Sequence, residues 1–312
     1  LRAKSGYVPV MTKPGNPAPG RRYAIGAAMF DADRLAPGLH VVATPIGNLG
    51  DMTVRGLATL AAADTILCED TRTTAKLLAR YAIRNRLEAY HEHNAERVRP
   101  QIVRRLAEGA AIALVSDAGM PLVSDPGYRL VEAALAEGVV VTCSPGPSAV
   151  LTALALSGLP TDRFAFLGFM PHKTGERGRL LAEVASLRST LIFFESPHRI
   201  VETLAHIAEA LPGRAVVVAR ELTKLHEEVL RGSAGEIAAL LASREAVKGE
   251  ITLLVGPPDD ASLAASEADI EAAIDEALKA RPATRVAADL AREFGLNRKD
   301  VYARILARRG NG

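Results

Sequence analysis

The sequence predicts an α/β protein of two domains followed by a small helical appendage. Three observations carry this. Between residues 39 and 156, short apolar runs alternate five times with helical patterns, the signature of a parallel sheet with crossover helices. After Gly158-Leu-Pro160 a second series begins, and its runs near 215–231 lie close enough together to pair antiparallel, giving a mixed sheet. Beyond Pro257-Pro258 the pattern becomes helical and densely charged. A length of 312 residues also exceeds what one hydrophobic core usually serves.

In chain order, residues 1–28 are rich in Pro and Gly, carry scattered Lys and Arg and show no periodicity, so disorder is expected through about residue 36. Arg21-Arg22 precedes a short apolar run that Asp31 ends before any convincing cleavage site, which argues against export; Met29 is a candidate natural start. Strands are expected near 39–44, 64–68, 87–91, 110–116 and 139–143, making a first domain over 37–158. A second domain over 159–257 takes strands Phe164–Phe169, Thr190–Glu195, 215–219, 228–231 and 250–255, with helices near 176–187, 198–210 and 233–241. In the tail, 258–312, helices are expected at 267–280, 284–294 and 297–309. The Gly295-Leu-Asn297 break suggests a helix-turn-helix with Asn297 capping the last helix; a plain two-helix packing unit is the alternative.

Bulk properties exclude several classes. No apolar run approaches the roughly 18 residues of a membrane span. Cys68 and Cys143 are far apart and lack metal-ligand spacing, which suits buried thiols in a reducing cytoplasm. The net charge of +2 conceals an acidic stretch, 259–280, followed by a basic one, 281–312, with eight basic and three acidic residues. Such a basic end is a candidate polyanion contact as well as an ordinary solvated surface.

The chemistry gathers at strand ends. Ala110 to Val115 reads as a buried strand that stops in Ser116-Asp-Ala-Gly-Met-Pro121. There Gly119 permits positive φ or close ligand approach, Pro121 and Pro126 stiffen the loop, and Asp125-Pro-Gly opens a helix near Tyr128. Thr44-Pro-Ile-Gly-Asn48 and Ser144-Pro-Gly-Pro-Ser148 follow two other strands. Three such loops suggest one crevice at the carboxyl edge of the sheet. Gly47 and Gly50 do not have the dinucleotide-fingerprint spacing. Glu69-Asp-Thr-Arg72 offers two carboxylates, or a helix start with Thr71 as cap; His91-Glu-His93 lacks the partners of a zinc site. In the second domain charge collects in Glu195-Ser-Pro-His-Arg199 and Arg220-Glu-Leu-Thr-Lys224.

Taken in order, these stretches resemble the tetrapyrrole methylase superfamily, and within it the bacterial small-subunit ribosomal RNA cytidine 2′-O-methyltransferases. Thr44–Leu49, Glu69–Arg72, His91–Asn94, Leu114–Pro121, Asp125–Tyr128, Pro145–Ser148, Gly158–Pro160, Asp162–Phe164, Glu195–Arg199, Ala219–Lys224 and Gly249-Glu250 carry the likeness over residues 39–256. Met120, where a small residue is usual, and the N-terminal extension depart from it.

The resemblance implies two α/β domains holding S-adenosylmethionine between them, usually in a homodimer, with a decoding-region cytidine ribose of 16S ribosomal RNA as acceptor. It places the methyl donor along Pro45, Ser116, Asp117, Ala118, Gly119, Pro121, Ser124, Pro145, Gly146 and Ser148, with Leu222 and Thr252 completing the site. Methyl transfer from a sulfonium asks mainly for alignment of the nucleophile and removal of a proton, and needs no metal. Glu69, Asp70, Glu195, His198, Glu221 and Lys224 stand at expected strand ends as candidates for the hydroxyl. Glu221 and Glu195 are placed nearest it, with Arg72, Arg199, Arg220 and His198 toward the RNA. A small-molecule methylase and a non-enzymatic nucleic-acid-binding protein are the rival readings; the basic tail speaks against the first and the three loops against the second.

Overall fold

The described residues begin with strands where disorder was expected. In the computed structural model, which describes residues 17–123, 127–258, 267–279, 281–294 and 296–309, β1 (Pro17–Ile25) and β2 (Ala28–Asp33) form an antiparallel hairpin. Composition misled here because the hairpin is held from outside. Tyr23 and Ala32 are buried in the first domain's core, Ala24 N–H donates to the Tyr81 carbonyl at 2.7 Å, and Arg21 donates to the Ala63 carbonyl at 2.6 Å. The expectation of disorder for 1–36 is corrected over 17–33, and residues 1–16 lie outside the described set.

The first large sheet is all parallel, ordered β5-β4-β6-β3-β7. Its strands are β3 (Gly38–Val42), β4 (Thr65–Cys68), β5 (Leu87–Ala89), β6 (Ala111–Leu114) and β7 (Val141–Ser144). The three central strands are buried at every position, as a sheet covered on both faces requires. Helices α1 (Val54–Ala62) and α2 (Thr71–Arg80) cover one face through Leu57, Leu60 and Leu77. Helices α3 (Glu92–Ala107) and α4 (Tyr128–Ala136) cover the other through Ile102, Leu106 and Leu130. Asp70, not Thr71, caps α2: its carboxylate accepts from Arg72 N–H at 2.8 Å.

Helix α5 (Ala149–Ser157) joins the two units. Its Val150, Ala153 and Leu154 share a core with Ile192, Val217 and Leu254 of the second sheet, and Ile46 and Leu222 complete that cluster. The second sheet runs β11-β10-β12-β9-β8, from β8 (Phe164–Phe169), β9 (Thr190–Glu195), β10 (Ala215–Arg220), β11 (Glu228–Ser233) and β12 (Ile251–Val255). Only its β8–β9 pair is parallel, joined through a helix, whereas the short connection from β10 to β11 makes a hairpin. Helices α6 (Thr174–Val184), α7 (Ile200–Ala210) and α8 (Ala234–Ala242) cover its outer face.

Three tail helices, α9 (Glu267–Leu278), α10 (Ala283–Glu293) and α11 (Arg298–Arg309), pack on one another around Ile274, Val286, Leu290, Val301 and Ile305. Asn297 accepts from Lys299 N–H at 2.9 Å at the start of the last helix. No described helix is long and apolar enough to cross a membrane.

Candidate active site

A cavity of about 420 Å³ opens between the carboxyl edge of the first sheet and the end of the second where β9 finishes and β12 begins, within the size range of small-molecule sites. From the first domain it is lined by Ile46, Asp117–Met120 and Ser148–Val150, and from the second by Phe194, Glu195 and Gly249–Thr252. The loop after β6 is pinned from behind. Thr44 and Gly119 exchange backbone hydrogen bonds at 2.9 and 3.0 Å, the Thr44 hydroxyl donates to the Ser116 carbonyl at 3.1 Å, and the Ser116 hydroxyl donates to the Ala118 carbonyl at 3.2 Å. Gly119 takes φ +77°, and a Cβ there would stand 3.2 Å from Ile46 Cγ2. A side chain is therefore strained by the backbone there and would press on Ile46.

Of the residues expected to hold the donor, Asp117, Ala118, Gly119, Ser148 and Thr252 face this cavity. Ser116, Pro121 and Leu222 lie buried behind it, and Pro45, Pro145 and Gly146 build its loops without lining it. Ser124 lies outside the described residues. Ile46, Phe169, Phe194 and Glu250 line the site as well, and the sequence reading gave them no role. The apolar ones look like core in a sequence; their positions at the ends of strands or in the first loop were the available signal.

The lining carboxylates differ in how they are held. Glu195 is buried and saturated: Ser196 N–H and Arg199 reach Oε1 at 2.6 and 2.5 Å, and the Thr203 hydroxyl reaches Oε2 at 2.5 Å. Behind it the fully buried Arg177 donates to Thr203 at 2.9 Å and pairs with Glu202 at 2.7 Å. Glu250 is mostly exposed and pairs through Oε2 with Lys224 at 3.0 Å. Asp117 accepts from Asp70 N–H at 3.0 Å and has no cationic partner among the described residues. No Lys or Arg lines the cavity among the described residues. An uncompensated carboxylate, apolar walls and open backbone together suit a ligand that is cationic at one point and otherwise flat or apolar.

The remaining candidates stand around this cavity. Glu221 pairs with Lys224 at 2.9 Å and accepts from Glu250 N–H at 2.9 Å; that N–H, then Lys224, holds its carboxyl below the usual range. Arg220 is tied to Glu228 and to the Lys248 carbonyl, and Arg199 to Glu195 and the Met170 carbonyl. Arg72 extends into solvent while chelating Asp70, whose carboxyl its side chain and N–H pull down to about 2. His198 is exposed. Glu69 faces a separate cavity. One interdomain bond, Asn48 N–H to the Thr223 hydroxyl at 3.1 Å, closes the first loop on the second domain.

Comparison with known proteins agrees with this architecture. The model of the tetrapyrrole (corrin/porphyrin) methylases matches residues 38–238. A ribosomal RNA small subunit methyltransferase I of Mesorhizobium japonicum is 47% identical over 283 residues, covering 90% of this chain and 96% of its own. The protein of that name from Erythrobacter litoralis is 48% identical over 277 residues, covering 88% and 96%. Among solved structures, a cobalt-precorrin-4 methyltransferase aligns with a TM-score of 0.53 at 20% identity over 70% of this chain and 94% of its own. A diphthine synthase aligns at 0.56 and 15% identity over 70% and 89%; both likenesses bear on the fold alone. Fold, cavity and relatives thus converge, and the chain belongs to the tetrapyrrole (corrin/porphyrin) methylase family.

Proposed function

We infer that the protein methylates the 2′-hydroxyl of a cytidine in the decoding region of 16S ribosomal RNA, using S-adenosylmethionine. The observation that carries this is the 47% and 48% identity to two ribosomal RNA small subunit methyltransferase I proteins over nearly their full length, combined with a cavity whose lining fits a cationic methyl donor. The donor supplies an activated methyl group on its sulfonium. Asp117 offers the facing negative charge, the Ala118–Gly119 backbone lets the ligand approach closely, Ser148 and Thr252 supply polar contacts, and Ile46 and Phe194 exclude water.

Removal of the hydroxyl proton falls best to Glu250. It lines the cavity, and Lys224 holds one carboxylate oxygen and leaves the other without a partner among the described residues. Glu195, with both oxygens engaged, and Glu221, with its basicity lowered, serve better as supports. Arg199 and Arg220 are likewise committed within the second domain, so the RNA backbone is assigned to Arg72, His198 and the tail. Unpaired thiols at Cys68 and Cys143 and a ribosomal substrate agree with a cytoplasmic enzyme; a homodimer follows the family resemblance.

The test is incubation with small ribosomal subunits lacking the modification and an isotopically labelled donor, followed by mapping of the labelled nucleotide. Label on the ribose of one cytidine supports the assignment. Label on uroporphyrinogen, or none on the subunit, overturns it.

A further inference from the structure

A second cavity, of about 590 Å³, lies beside the first domain's carboxyl edge, outside the donor cavity. Its lining combines an aromatic ring, carboxylates and guanidinium groups: Tyr128, Glu69, Glu92, Glu96, Arg99 and Arg129. Opposite charges sharing a cavity usually pair, yet none of these Glu residues pairs with either Arg among the described residues. The nearest contact is a weak one, Arg99 Nε to the Tyr90 hydroxyl at 3.5 Å. Polar groups left open in this way are available to a ligand that presents both donors and acceptors. Tyr128, in the first turn of α4, is 66% exposed. An exposed ring on a polar cavity offers a stacking face for a base.

The two cavities are joined through one backbone contact. Glu69 directly follows β4; the next residue, Asp70, donates its N–H to Asp117 Oδ1, and Asp117 lines the donor cavity. Glu69 is half-buried, whereas Glu92 and Glu96 are exposed. A partly desolvated carboxylate discriminates most sharply between a hydrogen-bond donor and an acceptor, because mispairing leaves it unsatisfied.

We propose that this cavity receives the base of the target cytidine, with Glu69 accepting from the cytosine N4 amino group and Tyr128 stacking on the ring. Arg99 and Arg129 face the flanking phosphates. The proposal rests on the ribose-methylation reading and adds what that reading lacks, a reason for choosing cytosine: uracil presents O4, an acceptor, where cytosine presents a donor, and a carboxylate rejects it. The base would stand next to the donor cavity, as a ribose reaction demands.

The experiment uses unmodified small subunits carrying either cytidine or uridine at the mapped nucleotide, single-turnover methylation at saturating donor, and calorimetric donor affinity. The parent is expected to prefer cytidine by about tenfold or more. Glu69→Gln, whose amide both donates and accepts, should reduce that preference about tenfold, mainly by slowing the cytidine reaction, with donor affinity unchanged. Tyr128→Ala should raise the subunit KM severalfold on both substrates. A cytidine preference kept within twofold in Glu69→Gln, equal rates on both substrates in the parent, or lost donor binding in Glu69→Gln each overturn the proposal. A parent that labels no subunit overturns the functional reading instead, so the two failures are distinguishable.

Discussion

The Glu221 carboxylate lies directly over Gly249, so that a Cβ at position 249 would stand 2.5 Å from Glu221 Cδ and Oε1. Antiparallel pairing of β10 with β12, Arg220 opposite Ile251, brings the two residues together. Both have left-handed backbones, Gly249 at φ +92° and Glu221 at +52°. Glycine adopts this region freely, but a glutamate there is strained and must be held by its surroundings. Its bonds to Lys224 and to Glu250 N–H do the holding, and they also aim the Glu250 segment along the donor cavity.

This arrangement separates the roles of two neighbouring carboxylates. Glu221→Gln is expected to lower stability by about 1 kcal/mol, from the weakened charge-assisted bonds, while single-turnover methylation stays within a few-fold of the parent. Glu250→Gln is expected to leave donor affinity unchanged and to slow single-turnover methylation on the order of 10²-fold, as loss of a general base does. The reverse pattern, a fast Glu250 variant and a slow Glu221 variant, would return the proton to Glu221.

Acid stability should depend on Glu228. The Arg244 side chain, aided by Arg220, holds its carboxyl at about 2 against burial, which opposes ionisation. Because the folded value lies below the unfolded one, the stabilisation is full above about 4.5 and is lost as pH falls from there toward about 2. Its size is on the order of 1–2 kcal/mol once remaining exposure is allowed for. Urea unfolding of Glu228→Gln should show lower stability at pH 7, the gap narrowing below about 4.5 and closing as pH falls toward about 2. A constant gap between the two curves would remove Glu228 from the acid response.

Gly119→Val is expected to weaken donor binding about tenfold or more in a folded protein. The substitution forces a β-branched residue into φ +77° and pushes against Ile46 on the donor cavity wall. Calorimetry checks it; an unchanged donor affinity would move the donor away from this loop.

What was legible in the sequence was the placement of loops, and what was not was the pairing of side chains. Ser116–Pro121 and Pro145–Ser148 could be read because Pro and Gly punctuate apolar runs, a local signal that open sheets translate into one crevice. The bond between Glu221 and Glu250 depends on strand register across a sequence separation of 29, which no local pattern fixes. Glu195 and Arg199 show the same limit from the opposite side. Their charges were visible at a strand end, but the Thr203 hydroxyl that engages the second oxygen of Glu195 comes from the following helix, a contact no local pattern announces. The hairpin at 17–33 was missed because its stability comes from Tyr23 buried against α1 and from bonds to Ala63 and Tyr81 rather than from its composition.

The tail provides the last prediction. Its three helices close around their own core, with Ile274, Val286, Leu290, Val301 and Ile305 in a cluster separate from those of the two sheets. Truncation after Pro258 should therefore leave both sheets and the donor cavity intact, and donor affinity should be unchanged. Of the tail's described cations, Lys279 pairs with Glu276, Arg281 with Asp289 and Arg304 with Glu271, whereas Arg285, Arg292, Arg298 and Lys299 are exposed and make no ion pair among the described residues. If these four meet phosphates, each displaces condensed counterions from the RNA. Truncation should then weaken subunit binding at low salt and flatten the slope of log affinity against log salt by about 3. Filter binding across a salt series measures both quantities. A truncated protein that binds subunits with the parent's slope would make the tail a packing unit, and the RNA contacts would then have to come from Arg72, His198 and the rim of the second cavity.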